Sequence, residues 1–469
     1  MDSIQSVLTK TADWAWGPAT MALILGTGLY LTIGLRGISI TRIPESFRLL
    51  LSSEARSRAP GEGEISPYGA LMSALSATVG VGNIAGVATA IHLGGPGALF
   101  WMWMAGLLGM ATKFSETLLA VSFREKADGH FLGGPMYYIK LGLGPKWAWL
   151  GVCFAIFASV AALGVGAGVQ ANAVADVMNS QFGIVPAITS VVLLLATFAV
   201  LIGGLQRIAA VSELLVPTMI VLYLAAGFLV LVMNAAAVPG ALELIVRSAL
   251  SGTAASGGFA GAGVALAVRF GVARGIFSNE AGLGSAAIVH AAARSDDAVK
   301  LGAIGMLGTF IDTLVVNAMT GLTIVVTGVW ITGDTAASLT ARAFETSLPG
   351  FGGMIAAISL VLFAFTTVLG WSVYGERAAA FLVGTKVIRP YRYLWCLAVG
   401  AGALSRLDLA WLIADIMNAL MALPNLIALL LLSPTVFKLT RDRLAGGQAL
   451  ASAAKTLNSA FSPPRSNTL

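Results

Sequence analysis

Charged residues are scarce in this sequence: of its 469 residues, 11% are charged and 57% are hydrophobic. Soluble domains carry about 25% charged residues, so this composition excludes a soluble globular protein. The mean hydropathy of +0.86 agrees with that conclusion. No stretch is polar enough for a nucleic-acid-binding domain, and the net charge of +6 is better explained by basic segments between apolar spans. The chain is predicted to be an integral membrane protein.

Cysteine and histidine are also scarce. Cys153 and Cys396 lie far apart within apolar stretches, which excludes a disulfide framework and a CxxC motif. His92, His130 and His290 are scattered and lack the spacing of metal ligands. The sequence also has no convincing nucleophile–base pair and no phosphate-binding loop. We therefore do not expect an enzyme.

Glycine, in contrast, is abundant, with 55 residues, and it is concentrated at the centres of two apolar stretches. The stretch Ser73–Ile91 contains glycines near 76–83, and the stretch Gly263–Ala293 contains glycines near 277–285. A break in a membrane helix frees backbone groups that hydrocarbon cannot satisfy, so it persists only where it lines a cavity or binds a ligand. Paired breaks in the two halves of a membrane chain predict a transporter's substrate and ion site.

The apolar stretches predict eleven membrane spans, because a spanning helix needs about 20 apolar residues. The spans lie at about 17–35, 67–91, 96–122, 147–178, 184–204, 211–233, 257–292, 301–330, 351–383, 393–407 and 409–436. The predicted domains are an external N-terminal segment (1–16), one transmembrane transporter domain (17–440) and a cytoplasmic tail (441–469). Without the first span, the two broken helices start two halves of five spans, which predicts a 5+5 inverted repeat.

Basic residues predict the orientation of the chain. They concentrate in the segments after the first, third, ninth and eleventh spans: Arg36, Arg42, Arg48, Arg56, Arg58, Arg124, Lys126, Lys140, Lys146, Arg377, Lys386, Arg389, Arg392, Lys438, Arg441 and Arg443. The positive-inside rule places these segments in the cytoplasm and the N-terminus outside, in a plasma (inner) membrane. Two amphipathic surface helices, Ala241–Leu250 and Ala336–Ser347, are predicted on the external side.

Several motifs resemble the alanine or glycine:cation symporter family, also called sodium:alanine symporters. They are Ala77–Ile91 continuing through Gly94–Gly97 to Lys113–Glu116, Arg274–Ser285, Ala364–Glu376, Gly133–Ile139 and Gly308–Asp312. The resemblance covers about residues 15–440. It implies an all-α polytopic fold of the neurotransmitter:sodium symporter type, with one extra N-terminal helix. In that fold a break resembling Val79–Asn83 occurs in the corresponding helix.

The first break offers two helix ends of opposite polarity. Free N–H groups near Gly82 and Asn83 suit a carboxylate, and the carbonyl groups of Ser76–Val79 suit a cation. The predicted substrate contacts here are Thr78, Gly80, Gly82 and Asn83. The predicted sodium ligands are Ser76, Thr78, Val79 and Asn83. The alternative is a glycine-lined helix crossing without a ligand.

At the second break, the resemblance implies that Phe277 packs over the substrate and that Ser278 binds sodium. Gln170, among the glycines of the fourth span, is implied to contact the substrate. The alternative for Phe277 is ordinary core packing, and for Gln170 it is a hydrogen bond between helices.

In the ninth span, the shared fold implies a second sodium site. There the hydroxyl groups of Thr366 and Thr367 would face the carbonyl groups of Ser76 and Val79, and Trp371 would form a wall of the pocket. The alternative for the threonines is a hydrogen bond to their own helix backbone.

Polar and charged residues within the spans form a further set of candidates, since a carboxylate at this depth is a functional candidate by default. Asp312 and Asn317 lie inside the eighth span, and either one is a candidate for the sodium site near Thr78, Asn83 and Ser278, with Asp312 as the predicted sodium ligand.

Three other charged positions leave structural alternatives open. Glu280 needs a partner, for which Arg274 is a candidate, and it serves either a structural ion pair or coupling. Lys113 and Glu116, three residues apart on one helix face, can pair directly, and a structural role is favoured for them.

These observations favour sodium-coupled import of a small neutral amino acid, alanine or glycine, by alternating access, with sodium as the co-transported ion. Proton coupling through Asp312 or Glu280 is the nearer alternative. A channel is disfavoured because the sequence lacks a filter-like repeat and carries different polar groups at its two breaks. The predicted partners are the amino acid, sodium and the lipid bilayer, without nucleic acid.

Overall fold

The fold was described from a computed structural model, which covers residues 2–56, 61–251, 263–405 and 408–460. The α-helices are Asp2–Ala15, Pro18–Gly34, Ile38–Thr41, Ile43–Leu51, Ser53–Arg56, Pro67–Thr78, Val87–Gly94, Gly97–Ser122, Pro135–Tyr138, Ala148–Ala161, Gln170–Phe182, Pro186–Leu201, Gly204–Met233, Val238–Ser251, Val264–Asn279, Ser285–His290, Ala298–Thr309, Ala318–Val326, Ala336–Ser347, Gly352–Val383, Ile388–Leu404 and Asp408–Ala460. The π-helical segments are Gly82–Gly86, Ile139–Leu143, Ala162–Val169 and Phe310–Asn317. The 3₁₀ segments are Pro145–Trp147, Ala235–Ala237, Val329–Ile331 and Thr385–Val387.

The predicted all-α polytopic class is confirmed. Within the described ranges, the sheet structure is one antiparallel hairpin of Glu125–Ala127 and His130–Leu132. Six described helices are long and apolar enough to cross a membrane, and the bent pair Pro67–Thr78 and Gly82–Gly94 adds a seventh. Every predicted span coincides with a described helix or helix pair, but length and composition alone do not establish the count of eleven, which stays a prediction.

Some boundaries differ from the prediction. The segment 1–16 contains the helix Asp2–Ala15. The last helix continues through Ala460, so the predicted tail from 441 begins as a continuation of that helix, which alanine-rich sequence favours. The predicted surface helix Ala336–Ser347 is present with those bounds. Residues 257–262, 406–407 and 461–469 of the predicted spans and tail, and Arg58, lie outside the described residues.

The helix Gly97–Ser122 positions the site because it packs against both the second broken helix and the helix Ala298–Thr309. Close approach depends on glycine. A Cβ atom on Gly109 would lie 2.8 Å from Cβ of Ala281, and one on Gly370 would lie 2.6 Å from the backbone N of Ala77. The helix Gly352–Val383 therefore lies directly against the end of the helix Pro67–Thr78. These contacts bring the two predicted breaks and the ninth span together in the core.

Candidate functional site

Both glycine-rich stretches are broken helices, as predicted. The first is helical over Pro67–Thr78, extended at Val79, and resumes at Gly82 with a bend of 53°. The second ends at Asn279 because Glu280 adopts a left-handed conformation (φ 56°), and Gly282 and Gly284 also have positive φ before the chain resumes as Ser285–His290. Left-handed residues stop an α-helix.

The two breaks are in contact. A Cβ atom on Gly82 would lie 3.5 Å from Cα of Ser278 and 3.6 Å from Cδ1 of Phe277. The Phe277 ring is partly buried, whereas Ser278 and Asn83 are buried. The structure therefore brings the predicted residues of the two breaks to one place, although about two hundred residues separate them in the chain.

Asp312 lies at the centre of a buried polar network that joins both breaks. Its Oδ1 accepts from Nδ2 of Asn83 at 2.7 Å, and its two oxygens lie 3.1 and 2.9 Å from Oγ of Ser278, which donates. Oγ1 of Thr313 donates to Oδ2 at 2.8 Å, and Nδ2 of Asn317 donates to Oγ of Ser278 at 3.0 Å. Asp312 and Asn317 are both 0% exposed.

The donors to the Asp312 carboxylate are neutral. Among the described residues, no ion pair within 4 Å includes Asp312. An ionised carboxylate at this depth is unfavourable without a compensating charge. Carboxylate and hydroxyl oxygens, such as those of Asp312 and Ser278, suit a hard cation, so this network has the chemistry of a cation site.

Two side-chain oxygens satisfy backbone N–H groups at the first break. Oδ1 of Asn83 accepts from the N–H of Gly80 at 2.8 Å, and Oε1 of Gln170 accepts from the N–H of Val81 at 3.3 Å. Nε2 of Gln170 donates to the carbonyl of Val165 at 3.2 Å. These bonds replace the helical bonds that the break removes. The bond from Val81 to Gln170 joins two helices, which is the predicted alternative for Gln170, and contact of its side chain with a substrate stays a prediction.

The threonines of the ninth span lie beside the first break. Oγ1 of Thr367 donates toward the carbonyl of Val79 at 3.3 Å and that of Phe363 at 2.9 Å, and Oγ1 of Thr366 donates to Phe363 at 3.0 Å. Thr366 also lies 3.5 Å from Sδ of Met219. Both hydroxyl groups therefore bond the carbonyl of Phe363 in their own helix, as the predicted alternative has it, and Thr367 also reaches Val79 on the first broken helix. The helical spacing of four residues before Thr367 is typical of such a bond.

The hydroxyl groups of two predicted sodium ligands donate hydrogen bonds within their own helix. Oγ of Ser76 donates to the carbonyl of Ser73 at 2.8 Å, and Oγ1 of Thr78 donates to that of Ala74 at 3.2 Å. The structure does not bring either hydroxyl group to Asp312. Trp371 is 2% exposed and packs on Gly166, where a Cβ atom would lie 2.3 Å from Cβ of the tryptophan.

Glu280 is not paired with Arg274, so the suggested pairing is wrong. Glu280 has a left-handed backbone conformation, and its carboxylate accepts from Oγ of Ser285 at 2.5 Å. Arg274 instead lies over the Phe277 ring, 5.7 Å from its centroid. The reason is that the helix ends between the two residues, which turns them in different directions.

Glu116 holds the second break in place, which sequence reasoning missed. Its Oε1 accepts from the backbone N–H groups of Gly282 (3.0 Å) and Gly284 (3.1 Å) and from Nδ2 of Asn425 (2.7 Å). The same Asn425 amide donates to the carbonyl of Gly282 at 2.9 Å and accepts from the hydroxyl of Tyr138. The predicted direct pair of Glu116 and Lys113 does not form within 4 Å among the described ion pairs: Oε1 is engaged by the loop, and Oε2 and Nζ of Lys113 have no hydrogen-bond partner within the described residues.

A chain of ion pairs lies at the end of the bundle that carries the predicted cytoplasmic segments. Arg377 pairs with Glu64 at 3.1 Å and lies 3.8 Å from Glu376, which bonds Arg392 at 2.7 and 3.1 Å. Glu64 also accepts from the N–H of Phe131 at 2.8 Å. These bonds fasten the segment before the first broken helix to the helix Gly352–Val383.

A cavity of about 120 Å³ is lined on one side by Phe277 and also by Asp13 and Arg269, which pair at 2.6 Å. Its lining also includes Arg274 and Asp415. Charged groups of both signs therefore line the space beyond Phe277.

One steric prediction follows from the first break. A Cβ atom on Gly80 would lie 2.4 Å from Oγ1 of Thr367 and 3.3 Å from Oε1 of Gln170. We expect Gly80→Ala to weaken substrate binding about tenfold to hundredfold, because overpacking costs about 1–3 kcal/mol. Equilibrium binding of the predicted substrate, a small neutral amino acid, to the purified protein measures this effect.

The matched control is Gly86→Ala, since a Cβ atom there meets nothing within 4 Å. This variant should bind as the unmodified protein does. Equal weakening by both substitutions would show that helix flexibility, and not the crowding of Thr367 and Gln170, explains the loss.

The sequence matches the sodium:alanine symporter family over residues 1–452. It is 46% identical to the sodium/alanine symporter AgcS of Methanococcus maripaludis, an alignment that covers 93% of this chain and 96% of that protein. It is 36% identical to the probable sodium/glutamine symporter GlnT of Bacillus subtilis, with 94% and 90% covered.

Solved structures support the fold. MhsT in complex with L-phenylalanine matches 79% of this chain and 99% of its own, at a TM-score of 0.50 and 13% identity. A manganese transporter mutant of Eremococcus coleocola matches 78% of both chains, at a TM-score of 0.50 and 13% identity. The predicted fold class, that of the neurotransmitter:sodium symporters, is confirmed.

Proposed function

The chain belongs to the sodium:alanine symporter family, and we propose that it imports a small neutral amino acid, alanine or glycine, together with sodium by alternating access. The multi-pass membrane architecture and the transporter family agree with this proposal. The observation that carries it is the buried Asp312 carboxylate, which bonds neutral donors from both breaks. A bound sodium ion supplies the positive charge that this position needs.

We assign two sodium sites within the same core. The first uses Asp312, Ser278 and Asn83. The second uses the carbonyl of Val79 and the hydroxyl groups of Thr366 and Thr367, to which the carbonyl of Phe363 is added. The short distances from Thr367 to Val79 and Phe363 support the second assignment.

The substrate lies between the sites, with its carboxylate at the N–H groups near Gly82. Phe277 and Trp371 limit its size, and Gln170 contacts it from the fourth span. Support for a small substrate comes from the close packing of Gly82 on Phe277 and of Gly166 on Trp371. This arrangement separates alanine and glycine from the larger substrate named for the glutamine relative.

Sodium coupling supplies enough free energy for accumulation. A tenfold sodium gradient contributes about 1.4 kcal/mol, and a potential of 100 mV contributes about 2.3 kcal/mol per charge. One sodium ion then drives a zwitterion to roughly five-hundredfold accumulation.

Alternating access requires opposite ends of the site to open in turn. In this proposal the ion pairs Glu64–Arg377 and Glu376–Arg392 close the cytoplasmic side, and the charged cavity beyond Phe277 lies on the external side. The N-terminus is outside and the tail from 441 is cytoplasmic, in the plasma (inner) membrane. Residues 17–440 form the single transport domain.

The decisive experiment is uptake of labelled alanine, glycine and glutamine into proteoliposomes, with a sodium gradient or with choline in place of sodium. We expect alanine or glycine to accumulate only with sodium, and Asn83→Ala to weaken both sodium and substrate dependence. Empty liposomes are the control. Accumulation unchanged without sodium, or driven fully by a proton gradient alone, would reject sodium coupling.

A further inference from the structure

A groove outside the transport site has the composition of a lipid headgroup site. It has a volume of about 280 Å³ and is lined by Phe198, Leu201, Ile202, Arg389, Arg392, Tyr393 and Cys396. It lies where the helix Pro186–Leu201 ends and the helix Ile388–Leu404 begins. Its lining contains two arginines and no carboxylate, so it favours an anion.

The apolar part of the groove faces outward from the bundle. Ile202 and Tyr393 are 59% and 58% exposed, and the ring of Phe198 lies 6.2 Å from that of Tyr393. Exposed apolar and aromatic side chains at the end of a spanning helix contact the interfacial region of a bilayer. The groove therefore offers an apolar surface for acyl chains beside a cationic rim.

The two arginines are held in different ways. Arg392 is fixed by Glu376, and its guanidinium lies beside the turn at Gly204, where a Cβ atom would be 3.2 Å from Nη1. Arg389 is exposed, and the ion pairs among the described residues do not include it. A positioned guanidinium beside a free one suits a phosphate group.

We propose that this groove binds an anionic glycerophospholipid, with its phosphate between Arg389 and Arg392 and its acyl chains over Phe198 and Ile202. Basic pockets between membrane helices bind anionic headgroups on the cytoplasmic side. The bound phosphate shares Arg392 with Glu376. Because Glu376 lies beside Arg377, which pairs with Glu64, the lipid is linked to the ion pairs that fasten the predicted cytoplasmic end.

A second basic groove provides the contrast. It has a volume of about 340 Å³, and both of its arginines pair with carboxylates, Arg42 with Glu45 at 2.9 Å and Arg443 with Asp297 at 2.8 Å, whereas the first groove keeps Arg389 outside the ion pairs of the described residues. It should show less preference for an anionic lipid. Arg42→Gln is therefore a matched control for Arg389→Gln.

The test measures lipid binding by the purified full-length protein in detergent, by native mass spectrometry and thermal unfolding. The probes are phosphatidylglycerol, phosphatidylcholine with the same acyl chains, and inorganic phosphate. We expect phosphatidylglycerol to bind in preference to phosphatidylcholine and to raise the unfolding temperature, and phosphate alone to do neither. Arg389→Gln should weaken phosphatidylglycerol binding about fivefold, while Arg42→Gln should leave it unchanged.

Three results would overturn the proposal: equal binding of both lipids, the same stabilisation by free phosphate, or equal loss in Arg389→Gln and Arg42→Gln. If Arg389→Gln does not fold, Arg389→Lys, which keeps the charge, should retain binding, and Phe198→Ala should weaken it through the acyl chains. Binding is measured without transport, so its failure is distinct from a failure of sodium-driven uptake.

Discussion

Replacing Asp312 with Asn is expected to abolish sodium-dependent uptake while the protein still folds. The substitution removes the negative charge that a sodium ion would neutralise, but an amide oxygen in the place of Oδ1 can accept from Asn83 and Ser278, which both bond Oδ1 in the native chain. Breaking a buried charge pair costs about 3 kcal/mol or more, so sodium affinity should fall roughly hundredfold or more. Sodium titration of labelled alanine uptake in proteoliposomes measures this change.

The same charge-removing substitution at the exposed Asp176 is the control. Asp176→Asn should leave sodium dependence unchanged, and the thermal unfolding of both variants reports folding. If Asp312→Asn kept native sodium dependence, Asp312 would not be a sodium ligand. The second site, at Val79 and Thr367, would then have to account for sodium coupling.

Replacing Glu116 with Ala is expected to destabilise the second break severely, whereas Glu116→Gln should be tolerated. The alanine variant leaves the N–H groups of Gly282 and Gly284 without their acceptor and deprives Asn425 of one partner. Each buried donor left unsatisfied costs about 1–3 kcal/mol. Glutamine retains an oxygen at the same place. Glu116→Ala should therefore have a lower unfolding temperature than Glu116→Gln when the purified variants are compared. Uptake should also be lower in Glu116→Ala than in Glu116→Gln.

Glu345 provides a matched control at the protein surface. Its carboxylate also accepts from two glycine N–H groups, those of Gly350 at 2.6 Å and Gly353 at 2.9 Å, but Glu345 is exposed. Water can replace it there, so Glu345→Ala should be much less harmful. If Glu116→Gln were as damaging as Glu116→Ala, the charge of Glu116, and not its role as an acceptor for the loop, would explain its importance.

The site was partly predictable because hydrocarbon restricts what a membrane sequence can contain. Glycine-rich breaks and an intramembrane Asp312 are conspicuous against an apolar background, and both lie where the site forms. The partners were not predictable in the same way. Glu116 contacts Gly282, 166 residues later in the chain, and neither residue has a local pattern that indicates the contact. Glu280 bonds Ser285 and does not pair with Arg274. The left-handed conformation of Glu280 itself, which the sequence does not indicate, accompanies this outcome.

The sequence by itself determined the class of the protein, the positions of the two helix breaks and the family resemblance. The class and the breaks follow from local composition, because every backbone group in hydrocarbon must be satisfied, and the resemblance follows from the motifs around them. Tertiary structure alone decided which side chains surround Asp312, that Thr367 reaches the carbonyl of Val79, and that Glu64 meets Arg377 across 313 residues. These contacts depend on how helices distant in sequence pack, and side-chain spacing along one helix does not specify which neighbour it will meet.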